Sequence, residues 1–251
     1  MSKLADAIRR SQRVEAAPMG FGAARPVAKA TMLVGFQGEA AKLAAATKSG
    51  ADVLLIEVSE RDLNAGKAKE LRSAASDLPL GIFARTSSAI PTRELREAGL
   101  DFLVFEPEST PASALLDEDM GFVLVLPDEP DDMARELLLR SLEPLSLEAV
   151  FMTSVPSPLT VTQQIALGRV SNLARKPLIS KVKPDISGED LQCLRAAGVA
   201  ALVVDNADAV AKLKERVAAL PPRRQRKDDR PVVSLPRGQA PPEDDDDDDD
   251  E

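Results

Sequence analysis

One unit, written three times in phase, constrains the fold of this chain more than any other feature. Gly50 is followed by Ala51-Asp52-Val53-Leu54-Leu55-Ile56 and then Glu57. Gly99 is followed by Leu100-Asp101-Phe102-Leu103-Val104-Phe105 and then Glu106. Gly198 leads through Ala200-Ala201-Leu202-Val203-Val204 to Asp205. In every copy the acid stands seven residues after the glycine. The third copy shows what comes before. Ser187 is placed to cap a helix with Glu189 and Asp190 in its first turn, where the helix dipole favours negative charge. Leu191 and Leu194 share a face of that helix, and Gly198 supplies the left-handed stop without a Cβ to clash. The apolar run beyond it does not alternate, which suits a parallel strand covered on both faces; a buried helical segment would look the same. A repeat at this scale is read before any single residue.

The same cadence runs along the chain. Strands are predicted over 31–36, 53–57, 80–84, 102–106, 122–126, 149–153, 178–182 and 201–204. Helices are predicted over 39–48, 65–76, 91–98, 111–117, 131–142, 160–174, 188–197 and 207–220, several opening on first-turn prolines (Pro91, Pro111) or an Asp cap (Asp131). Strand–helix alternation of this kind demands a parallel sheet with right-handed crossovers. Eight repeats resemble the (β/α)8 (TIM) barrel superfold over residues 31–220. The resemblance is architectural and carries no family's catalytic residues with it. The other arrangement is an open doubly wound sheet, but Phe36-Gln37-Gly38-Glu39 follows the first strand where a dinucleotide-binding sheet has Gly-x-Gly-x-x-Gly.

The ends are different material. Residues 1–30 form an N-terminal extension in which Leu4 and Ile8, four apart and followed by Arg9, Arg10 and Arg13, suit a short amphipathic helix, broken by Pro18-Met19-Gly20-Phe21-Gly22. Such a segment closes the floor of a barrel more readily than it anchors to a membrane. Residues 221–251 hold six basic and eleven acidic residues, ending in Asp244 to Asp250 and Glu251, and read as a disordered acidic tail. Its apolar island, Val232-Val233-Ser234-Leu235-Pro236, is either a docking peptide for a protein partner or a sticky interval in a linker.

Composition excludes several chemistries. The chain has no His, Trp or Tyr, so histidine-based zinc sites and Ser-His-Asp triads are ruled out within it. A carboxylate-bound magnesium stays open. The single cysteine, Cys193, reads as buried filler and fits a reducing, cytoplasmic setting. No apolar run reaches the roughly 20 residues of a membrane helix, and the start lacks a signal-peptide core. An acidic folded part with only phenylalanine for stacking disfavours nucleic acid.

A barrel gathers function at the carboxyl ends of its strands. Those ends carry Gln37, Glu57, Arg85, Glu106, Asp128, Thr153 with Ser154, Lys181 with Lys183, and Asp205. Glu57, Lys181, Lys183 and Asp205 are the candidate catalytic residues; Gln37, Arg85, Glu106 and Thr153 are candidate ligand contacts. Against this stands the plain reading that strands end on polar residues because they re-emerge into water, the acids capping the next helix or pairing with a lysine across the mouth. The loops after the last two strands, Lys183-Pro184-Asp185-Ile186-Ser187-Gly188 and Asp205-Asn206-Ala207-Asp208, hold one glycine and several acids. They disfavour a phosphate grip, and with it a phosphorylated substrate or a flavin phosphate; the cofactor is otherwise unknown. Two functions follow. The first is a ligand-binding or scaffold barrel with partner-recruiting ends. The alternative is a lyase or isomerase acting on a non-phosphorylated oxo compound, Glu57 or Asp205 moving the proton and Lys181 or Lys183 polarising the carbonyl.

Overall fold

The three glycine-anchored runs become strands of a closed ring. The computed structural model describes residues 2–12, 32–127 and 132–221. Its strands are β1 (Leu33–Gly38), β2 (Val53–Val58), β3 (Leu80–Ala84), β4 (Phe102–Phe105), β5 (Gly121–Val125), β6 (Leu147–Met152), β7 (Leu178–Lys181) and β8 (Val199–Val204). Each pairs in parallel with the next, and β8 returns to β1 with Leu33 opposite Ala201 and Phe36 opposite Val204. The helices are α1 (Lys3–Gln12), α2 (Leu43–Lys48), α3 (Ala65–Ala75), α4 (Thr92–Glu97), α5 (Asp132–Arg140), α6 (Val161–Ala174), α7 (Gly188–Ala196) and α8 (Ala207–Ala218). This is the TIM-like barrel, closed rather than an open sheet.

The absence of alternation in the strands now has its cause: both faces are buried. Outward positions such as Phe36, Leu54, Ile56 and Ile82 pack with Leu71, Leu95, Leu194 and Leu213 of the helices. Inward positions of the same strands, among them Leu55, Phe83, Phe102, Val104, Phe151 and Val203, fill the lumen as a second core. The lumen is therefore packed, not a pore. Gly81 is part of that packing, because a Cβ there would run into the Phe102 ring.

The glycines of the repeat behave alike. Gly50, Gly99 and Gly198 have φ of +80°, +103° and +100° and are the positive-φ glycines among the described residues. Each turns the chain out of a helix and into a strand. The aspartates two residues later in the first two copies do further work. Asp52 accepts the Val34 amide at 2.9 Å and the Lys214 ammonium at 2.7 Å. Asp101 accepts the Leu80 amide at 2.9 Å and pairs with Arg72 at 3.1 Å. Each aspartate thus fastens the start of the neighbouring strand to a helix.

Helix α1 closes the floor. Leu4 and Ile8 are buried and join the lumen cluster. The Ser2 amide donates to Glu148 Oε1 at 3.1 Å at the start of β6, and the Ser2 hydroxyl bonds to the same carboxylate. Arg9 and Arg10 stay on the exposed side.

Some predicted bounds shift. The first strand begins at Leu33 and runs to Gly38, because its register is set by β2, with Gly38 opposite Ile56. The helix predicted over 111–117 shrinks to a 3-10 turn, Ala112–Leu115, in which only Ala114 is buried. One small anchor does not offset the nucleation cost of a helix. Pro91 and Pro111 stand just before their helical turns rather than inside them. The Asp131 cap, the break at 18–22 and the tail from 222 onward lie outside the described residues.

Candidate functional site

Strand parity decides which terminal residues look inward. On β1 the lumen side is Leu33, Gly35 and Gln37; on β2 it is Val53, Leu55 and Glu57, the register placing Gln37 opposite Leu55. The same period of two brings Arg85, Glu106, Lys181 and Asp205 to the lumen side at the carboxyl ends of β3, β4, β7 and β8. Neighbouring strands then pair these residues. Gln37 Nε2 donates to Glu57 Oε1 at 2.9 Å, between β1 and β2. Arg85 Nε meets Glu106 Oε1 at 2.9 Å, between β3 and β4, with the guanidinium 4.8 Å from the centre of the Phe83 ring. Lys181 Nζ lies 3.4 Å from Asp205 Oδ2, between β7 and β8. The strand order β7-β8-β1-β2-β3-β4 makes these one continuous polar arc.

The arc is uneven in charge. Glu106 and Asp205 each have a cation; among the described residues Glu57 has none within ion-pair distance, only the neutral amide of Gln37. Gln37 is 4% exposed, and its Oε1 has no hydrogen-bond partner among the described residues. The amide cannot be turned to relieve this. A Glu57 carboxylate only accepts, so Nε2 must face it and Oε1 must face away. A buried carbonyl left this way costs on the order of 1–3 kcal/mol unless something donates to it. Lys183 lies two residues past Lys181, exposed, with no carboxylate in ion-pair reach among the described residues.

None of the three repeat acids caps a following helix. Asn64 accepts the Lys67 amide at α3, and Asn206 accepts the Asp208 amide at α8. At α7 the cap is Ser187, whose hydroxyl accepts the Asp190 amide at 3.0 Å. Asp190 is itself buried there. Its Oδ1 accepts the Leu159 amide at 2.9 Å and its Oδ2 the Ser157 hydroxyl at 2.7 Å. The Leu159 amide holds its carboxyl below the usual range; burial opposes this, and the Ser157 and Ser187 hydroxyls add to it.

Thr153 is exposed and lines a different space. A cleft of about 210 Å³ opens between the ends of β5 and β6 and helices α5 and α6, with Leu126, Met152, Val155 and Leu167 as its apolar wall and Thr153, Ser154 and Arg135 as polar groups. Arg135 was not marked by the sequence because nothing in its local pattern separates it from the other helix arginines. Asp128 lies outside the described residues. Cys193 is half-buried rather than fully buried, since it sits at the edge of the α7 face whose centre is Leu191 and Leu194. No group of three or more Cys, Asp or Glu side chains among the described residues is placed to hold a metal ion. No described helix is long and apolar enough to cross a membrane.

No family model matches the sequence, and no curated protein matches it. Solved structures do match the fold. The 3-keto-L-gulonate-6-phosphate decarboxylase of Vibrio cholerae aligns with a TM-score of 0.57 at 14% identity, covering 76% of this chain and 100% of the other. The (S)-3-O-geranylgeranylglyceryl phosphate synthase of Thermoplasma acidophilum gives 0.54 at 16% identity, covering 86% and 98%. The homocysteine methyltransferase MmuM of Escherichia coli gives 0.53 at 16%, covering 74% and 96%. At these identities the likeness is one of fold. The neighbours are TIM-barrel enzymes of unrelated chemistries, and a shared barrel does not select among them.

Proposed function

We propose that this barrel is a ligand-binding domain whose mouth takes a small, non-phosphorylated polar molecule presenting an ammonium or hydroxyl group to Glu57, which Gln37 holds in place. The observation that carries this reading is the exposed Glu57 carboxylate at the mouth, held by the buried Gln37 amide at 2.9 Å and without a cation among the described residues. A donor lodged there would answer the Glu57 charge, while Gln37 Nε2 keeps the carboxylate in place. Arg85–Glu106 and Lys181–Asp205 flank the spot as neutral pairs, which suits a small polar ligand better than a polyanion. One amide at the start of α7 is taken by Ser187 and one at the start of α8 by Asn206, and the loops before them hold acids, which supports a ligand without phosphate. Residues 222–251 add a surface for a protein partner on the same reading, tested by comparing pull-downs with and without them.

The test is a thermal-shift and calorimetric screen of small amines, amino alcohols and polyols against the wild type, Gln37→Leu and Glu57→Gln. Losing a hydrogen bond to a charged group costs roughly 1.5–3 kcal/mol, so Glu57→Gln should weaken a true ligand on the order of 10- to 100-fold. A ligand that binds both variants as well as the wild type defeats the reading.

A second reading is favoured by Lys181, which is inward-facing, partly buried and in contact with Asp205. In it the same mouth is a lyase or isomerase site for an oxo compound, Lys181 or Lys183 forming the Schiff base and Asp205 or Glu57 moving the proton. Borohydride trapping with a panel of oxo acids, read by peptide mass spectrometry, decides it; a panel without a lysine adduct removes it.

A further inference from the structure

Two opposite charges at the mouth are each held in place and kept apart. Glu57 and Arg85 stand on adjacent strands and on the same lumen side, because Glu57 is opposite Phe83 in the β2–β3 register and Arg85 is two residues beyond it. One strand across and two residues along separates their Cα atoms by roughly 8 Å, a span that a glutamate and an arginine can bridge. Among the described residues they do not pair. Gln37 draws the Glu57 carboxylate toward β1 at 2.9 Å. Glu106 draws the Arg85 guanidinium toward β4, with Nε 2.9 Å from its Oε1. The buried Phe83 ring, its centre 4.8 Å from the guanidinium, fixes the height of that group.

Between them lies a gap with a carboxylate on one side and a guanidinium on the other. Both are open to a ligand: Glu57 is exposed, and the Arg85 side chain is 65% exposed. Glu106 meets Arg85 on its Nε side. The terminal nitrogens make no hydrogen bond among the described residues, and they are the fork that takes a carboxylate in two parallel bonds. A simple amine at Glu57 would leave that fork unused, and a simple carboxylate at Arg85 would meet the like charge of Glu57. A molecule carrying both signs a short carbon chain apart answers both. Lys181 cannot stand in for Arg85, because β7 is three strands from β2 around the ring, roughly 14 Å at the spacing of paired strands.

We infer that the mouth selects a zwitterionic amino acid, its ammonium on Glu57 and its carboxylate on the terminal nitrogens of Arg85. This rests on the reading that Glu57 receives the ligand, and adds a second contact and the ligand's chemical class. The amide of the same amino acid keeps the ammonium and loses the charge that meets Arg85. Acid and amide therefore separate the two contacts.

Isothermal titration of the full chain near neutral pH, with a panel of L-amino acids and their amides, tests it on the wild type, Glu57→Gln and Arg85→Met. At least one amino acid should bind the wild type, and its amide should bind about tenfold or more weakly. Arg85→Met keeps the contact with the Phe83 ring; it should weaken the acid on the order of 10- to 100-fold and leave the amide no weaker. Glu57→Gln should weaken both. Both side chains are exposed, so both variants should keep the circular dichroism spectrum of the wild type. An amide that binds as well as its acid, or an acid that Arg85→Met leaves unaffected, overturns this inference; the Glu57 reading stands if Glu57→Gln still weakens both. Glu57→Gln without effect overturns that reading and this inference together. A wild type that binds simple amines but no amino acid on the panel overturns this inference alone, and one that binds neither overturns both.

Discussion

Asp190→Ala is the substitution whose cost the structure specifies most fully. The carboxylate is buried and ties the β6–α6 loop to the first turn of α7 through the Leu159 amide at 2.9 Å and the Ser157 hydroxyl at 2.7 Å. Each hydrogen bond to a charged group contributes roughly 1.5–3 kcal/mol. Ser157 is only half-buried and can turn to water, so its share falls at the low end. The sum is about 3 kcal/mol, which for a domain of this size lowers the melting temperature by roughly 6–12 °C. Asp190→Asn keeps one acceptor for Leu159 and should lose about half as much. The sign of the pH dependence follows from the direction of the shift. Because the folded carboxyl is held below its ordinary value, chiefly by the Leu159 amide, its contribution is present above the unfolded pKa. It is lost as pH falls through the folded value. Urea midpoints of wild type and Asp190→Asn should therefore differ by a constant amount from about pH 8 to pH 5 and converge below about pH 4. A gap that is unchanged or wider in acid would refute the assignment of that loop's anchoring to an ionised Asp190.

Two further perturbations separate other parts of the account. Gly198→Ala should cost more than Gly50→Ala although both glycines have positive φ: a Cβ at Gly50 meets open space, whereas one at Gly198 strikes Ser171. The expected losses are about 1 kcal/mol at Gly50 and about 2–4 kcal/mol at Gly198, from chemical denaturation. Leu4→Ala removes a fully buried side chain from the floor of the lumen and should cost roughly 2–5 kcal/mol; a change below 1 kcal/mol would mean α1 is not part of the packed core.

The architecture was legible because each of its signals is local. A glycine that must reverse a helix, an apolar run buried on both faces and a polar residue where the strand surfaces all lie within seven residues of sequence. Asp52 and Asp101 stood in plain sight, two positions after their glycines, yet their role was not, since their partners Lys214 and Arg72 lie on helices that reach them only in the fold. Asp190 was read as a first-turn acid favoured by the helix dipole. Its bonds to Leu159 and Ser157, more than thirty residues away, were invisible for the same reason.

The mouth divides along the same line. By itself the sequence determined which residues end the strands, because the period of two and the length of each apolar run are properties of a short segment. Only the closed ring decided who pairs with whom. It set Gln37 against Glu57, gave Arg85 to Glu106 and Lys181 to Asp205, and turned Thr153 toward the α5–α6 cleft. Those choices depend on strand register and side-chain reach between segments far apart in the chain, which no local pattern encodes.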